Sequence, residues 1–142
     1  MPGVVLHVVG EAFDPIPLLD TMSLQPYSVF RNGDKLFPDN PMSSKRHNVG
    51  GFKCEVSNLD GVLSDQIQDA IAFLKHHHSD LLRFGKVATI QTMHLDFGYY
   101  LRMDGKHTLA QFDYLPPELL RLAGELGIGI ELSLYPKTEF PS

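Results

Sequence analysis

Histidine is the residue of this chain best suited to chemistry. There are seven, and His76, His77 and His78 are consecutive within FLKHHHSDLL. Imidazole ligates transition metals and titrates near neutral pH. A helical zinc site needs histidines three or four residues apart, on one face. Neighbouring helix residues are rotated by about 100°, so these three point in three directions and do not share an ion. His78 falls on an apolar stripe, four after Leu74 and three before Leu81, and the residues four away on either side of it are leucines, Leu74 and Leu82. The run is expected to place His78 toward the core, His77 at the stripe's edge and His76 in solvent. A ligand from His77 or His78 acting with a distant partner stays open, but no metal ion is expected.

His7 and His94 are expected in strands, and His94 alternates with Thr92 and Asp96 on one face. If the two strands are neighbours, His7 and His94 form a pair that Asp96 can orient. These three are the candidate polar cluster. His47 and His107 are expected in loops. Cys54 shares a strand face with Phe52 and Val56, which predicts a buried, inert thiol. No G-x-S-x-G is present, and the glycines of NVGGF and GIG lack phosphate-loop or dinucleotide spacing. DNPM and DGVL lack the alternating oxygen ligands of a calcium loop. No catalytic residue is nominated, and no cofactor is expected.

Two polar clusters remain. FRNGDK offers Arg31, Asp34 and Lys35 around a turn, and SSKRHN offers Lys45, Arg46 and His47. Each reads either as a solvated turn or mobile loop, or as a binding surface; together they are the candidate interaction surface, because loops carry recognition.

The elements that must position these residues follow from patterning. The 142 residues suit one domain, assigned here to 1–136 with a loose tail over 137–142. A net charge of -5 argues against a basic surface for nucleic acid. Apolar runs are too short to cross a membrane. The start of the chain lacks a basic, apolar leader, which leads us to expect a cytoplasmic protein. A single cysteine forms no internal disulfide. VVLHVVG (Val4–Gly10) is apolar on both faces apart from His7 and predicts a central strand, either covered on both sides or held at a tight interface. Asp14–Pro15 predicts a short helix to about Met22. YSVF predicts a strand turning at Asn32–Gly33. Residues 38–51, with two prolines and paired glycines, predict a long loop. GFKCEVS predicts a strand. Ser64 predicts the cap of one long helix ending near Phe84, with Ile67, Ala70, Ile71, Leu74, Leu81 and Leu82 inward. KVATIQTMHLDFGYYLRM predicts a strand that turns at Asp104–Gly105, with HTLAQFDYL returning. PPELLRLAGELG predicts a short helix, and IGIELSLY a final alternating strand.

The order is then β-α-β-β-α-β-β-α-β. This implies α+β, with a mostly antiparallel sheet, helices largely on one face, and a ferredoxin-like or doubled split-βαβ arrangement.

Both ends of the chain resemble a known family. VVGEAFDPIPLLDTMSLQPYSVFRNGD carries a strand, then Phe13–Asp14–Pro15, Leu24-x-Pro26 and Arg31-x-Gly33–Asp34. The other end is YLPPELLRLAGELGIGIELSLY, and Gly51–Phe52 with a long helix lies between. These resemble the bacterial family known as domain of unknown function 4279. The resemblance implies a small α+β domain without an established reaction and supplies no catalytic residues. It also implies an immunity-type role against toxins, suspected for families of this kind. The leading expectation is a non-enzymatic binding module for another protein, a basic one suiting the acidic balance. The alternative is a small-molecule-binding protein or enzyme using the His/Asp cluster. A homodimer through a sheet edge is a third expectation.

Overall fold

The computed structural model describes residues 2–59 and 61–137. Strand β1 (Gly3–Gly10) lies at the centre, antiparallel to both β3 (Gly50–Ser57) and β4 (Thr92–Tyr100). β2 (Ser28–Phe30) pairs antiparallel with the outer side of β3, and β5 (Gly129–Tyr135) pairs parallel with the outer side of β4. The sheet order is β2-β3-β1-β4-β5. The helices are α1 (Ile16–Leu19), α2 (Leu63–His76), α3 (His78–Phe84) and α4 (Pro117–Glu125).

The chain is α+β with a mostly antiparallel sheet. The first four strands interleave as expected: β1 and β2 run parallel with β3 between them, and β3 and β4 run parallel with β1 between them. This is the ferredoxin-like split βαβ arrangement. The α4–β5 unit adds a fifth strand beyond β4.

One face of the sheet meets the helices. Val4, Leu6 and Val8 of β1, Phe52 and Cys54 of β3, and Leu95, Phe97 and Tyr99 of β4 form one buried cluster. Ile67, Ala70, Ile71 and Leu74 of α2 and Leu119, Leu122 and Ala123 of α4 complete it. Alternation along β1 therefore sends Val5, His7 and Val9 to the other face, where they are half-buried. Of the two settings expected for VVLHVVG, double coverage is not found: the strand is covered on one side only.

Three further expectations are corrected. The single helix from Ser64 to Phe84 is two helices, broken at His77 (φ -101°, ψ 18°), and α2 starts without a side-chain cap. The break turns Leu81 and Phe84 fully into the core and leaves Leu82 exposed. The strand expected to return over 107–115 does not form. Asp104–Gly105 does turn, with Asp104 accepting the N–H groups of Lys106, His107 and Thr108. The outer side of β4, however, is already taken by β5, so a returning segment has no strand to join. The first helix is one turn, shorter than expected. Of the proposed tail, only residue 137 lies within the described residues, and 138–142 lie outside them.

Candidate functional site

The half-open face of the sheet brings the polar cluster together. Pairing sets His7 opposite His94, and Val5 opposite Asp96. The His7 and His94 rings stack with centroids 4.6 Å apart and planes 4° from parallel. Glu131 lies one strand further out, its Oε2 3.2 Å from Nε2 of His94. Asp96 does not orient a histidine; it accepts a 2.6 Å hydrogen bond from the Ser133 hydroxyl. Partial burial, then neighbouring His94 and Lys53, hold His7 below the ordinary histidine range, against weaker opposition from Asp96 and Glu131. Among the described residues no three His, Cys, Asp or Glu side chains are grouped to hold a metal ion.

The expected loop surface is a pinned hairpin. The His47 N–H donates to Asp34 O and the Gly33 N–H to His47 O, each at 2.8 Å, and the Leu36 N–H donates to Lys45 O at 2.9 Å. Side chains do the pinning. The Asp34 carboxylate accepts the Arg31 N–H at 2.7 Å, Arg31 Nε lies 3.1 Å from Asp14 Oδ1, and Arg46 donates to Gly33 O at 2.8 Å. His47 stacks on buried Phe30 with centroids 4.2 Å apart. Arg31, Asp34, Arg46 and His47 are thus engaged in holding the hairpin, and Lys45 joins it through its backbone. The charged residues of this hairpin, Arg31, Asp34, Lys45 and Arg46 among them, are mixed in sign.

The three histidines are split by the helix break. His76 ends α2 in solvent, and His77 occupies the break. Its Nδ1 lies 3.5 Å from the Ser23 hydroxyl, which donates to Asp80 at 3.2 Å. Serine, histidine and aspartate are close, but the carboxylate holds the serine rather than the imidazole, so the arrangement does not raise the serine's nucleophilicity. Burial, then His76, lowers the His77 pKa. His78 is not in the core: its side chain is partly exposed, with Nε2 4.0 Å from Glu125.

A concavity lies elsewhere. A pocket of about 540 Å³ opens between the start of α2 and the 101–116 segment, lined by apolar Val62, Leu63, Ile67, Phe112 and Tyr114 with Arg102 beside them. A network fixes its wall. Asp113 accepts from Tyr99 Oη at 2.8 Å, from Arg102 at 2.7 Å and from Gln111 at 2.9 Å. Burial alone would raise the Asp113 pKa; the bonds from Arg102, Gln111 and Tyr99 outweigh it and bring it below the ordinary range. Burial, then Asp113, pushes Tyr99 up to about 12. Around that anchor Phe112 is 89% exposed, Leu109 75% and Tyr114 73%. Sequence reasoning missed this surface because HTLAQFDYL alternates as a strand does. The available signal was three large apolar residues beside Asp113 in a stretch that follows a turn.

No described helix is long and apolar enough to cross a membrane. No curated protein and no solved structure matched the chain. The model of the family described as Domain of unknown function (DUF4279) matches residues 2–137, and on that match the chain belongs to this family.

Proposed function

We propose that this chain is a binding module for another protein, taking its partner on the surface formed by residues 109–114 and the start of α2. The observation that carries the reading is Phe112, largely presented to solvent beside an anchored Asp113. Contiguous exposed apolar surface marks interaction sites. Aromatic residues dominate binding hot spots, and a pre-fixed backbone lowers the ordering cost of association. The net charge of -5 suits a basic partner, a toxin met by an immunity-type protein among them. A bacterial, cytoplasmic setting belongs to the same reading.

Peptides selected on the wild-type chain from a displayed library test this. They are expected to carry an aromatic or leucine anchor and to bind Phe112→Ser at least about tenfold more weakly, as loss of one hot spot implies. Equal binding to both proteins overturns the reading.

A second reading, of a small-molecule-binding protein, draws on the pocket itself, whose volume suits such ligands. The His7–His94–Asp96 cluster does not line that pocket. A fragment screen followed by NMR separates the two readings. Shifts deep in the pocket at Leu63 and Ile67 favour a small molecule, whereas peptide-induced shifts confined to Leu109 and Phe112 favour a protein.

A further inference from the structure

β5 forms one edge of the sheet, and among the described residues nothing pairs with its outer side. The opposite edge, β2, is only three residues long, whereas β5 has seven. Edge strands are ordinarily blunted by lysine, proline or a bulge. GIELSLY contains none of these, and its single charge is Glu131.

The backbone direction of this edge follows from one hydrogen bond. The Leu101 N–H donates to Tyr135 O at 2.8 Å, so the Tyr135 peptide groups face β4. Backbone groups alternate sides along a strand, so Glu131 and Ser133 also face inward. The outward N–H and C=O groups are those of Ile130, Leu132 and Leu134. Their side chains share the sheet face that the helices pack on, and Leu132 and Leu134 remain 41% and 43% exposed there.

We propose that a second copy of this chain pairs with this edge, β5 against β5, antiparallel about a two-fold axis at Leu132. That axis sets Leu132 opposite its own copy and Ile130 opposite Leu134, so every outward backbone group of these three residues gains a partner. It also places Glu131 across from Ser133. An axis at Glu131 instead sets two carboxylates face to face, and one at Ser133 brings Pro136, which has no N–H, into the ladder. Only the Leu132 axis satisfies both charge and hydrogen bonding. The resulting two-fold interface is self-complementary, as closed dimers require. It extends the sheet to ten strands and continues the apolar row Ile130–Leu132–Leu134 across the junction.

The inference does not depend on the partner surface at Phe112. The full chain is expected to show twice the monomer mass in light scattering at micromolar concentration, and Phe112→Ser leaves that mass unchanged. Leu132→Lys sets two ammonium groups against each other and yields a folded monomer, its fold checked by circular dichroism. Leu132→Cys, in a chain whose native cysteine is buried, oxidises to a covalent dimer, because opposed Cα atoms about 5.5 Å apart suit a disulfide. Glu131→Cys does not. A monomeric wild type, a dimer that survives Leu132→Lys, or equal cross-linking of the two cysteine variants each overturns the proposal.

Discussion

His7 and His94 face each other across β1 and β4 with their rings stacked at 4.6 Å. Two imidazolium ions at that distance repel, which adds to burial in lowering the His7 pKa. Burial and His94 lower the His7 pKa from 6.5. Folding therefore releases protons here, and the contribution of His7 to stability is fully present above about pH 6.5 and declines as pH falls toward the folded value. Thermal unfolding from pH 8 to 5.5 should show this decline, and His7→Gln should flatten it. An NMR midpoint for His7 at or above 6.5 would contradict the argument.

Asp113 holds the 101–116 segment. Its pKa is depressed in the folded state, so its stabilising effect is present above the ordinary aspartate range and is lost as pH falls through the folded value. Asp113→Ala removes the acceptor of the buried Tyr99 hydroxyl and should cost about 1–3 kcal/mol in urea unfolding. Faster amide exchange should be confined to residues 102–115. An unchanged exchange pattern would show that the segment does not depend on this carboxylate.

Local signals made much of this fold legible. Alternation in GFKCEVS and IGIELSLY, the proline that opens α4 and the strand at VVLHVVG all reappear as elements. Non-local pairing was not legible. HTLAQFDYL has a strand's alternation, but β5, later in the chain at Gly129–Tyr135, claims the edge it would need. Leu82 fits the apolar stripe only on an unbroken helix, and the break at His77, after which Leu81 and Phe84 are buried and Leu82 is exposed, leaves no periodic signal in the sequence. The His7–His94 pair was legible only on the condition that their strands are neighbours, a condition that the β1–β4 pairing meets. Glu131 was missed because its neighbour is set by a parallel register that sequence alone does not reveal.

Cys54 lies almost wholly inside the core, and burial pushes its thiol up to about 12. The thiolate that attacks disulfide reagents is therefore scarce at neutral pH. Modification by a chromogenic disulfide reagent should be negligible in buffer and complete in denaturant, with a rate that tracks unfolding across urea concentrations. Prompt labelling of the native protein would place this sulfur near the surface.

Gly10 and Gly50 pair across β1 and β3 at the end of the sheet where other segments come closest. A Cβ on Gly50 would lie 1.8 Å from the Phe13 carbonyl oxygen, and one on Gly10 1.9 Å from that of Thr89. Both obstacles are backbone, so neither can swing aside as a side-chain tip would. Phe13 is itself buried, with its ring 6.5 Å from that of Phe52. Moving its carbonyl therefore disturbs the core as well as the turn into α1. Gly50→Ala should destabilise the fold by about 1–3 kcal/mol, the usual cost of overpacking. Gly124 in α4 has no neighbour within 4 Å of an added Cβ, so the same substitution there tests helix propensity alone. Gly124→Ala should stabilise by about 0.5–1 kcal/mol. Chemical unfolding of both variants gives opposite signs if close approach at the sheet end is the constraint, and a Gly50→Ala variant as stable as wild type would refute it.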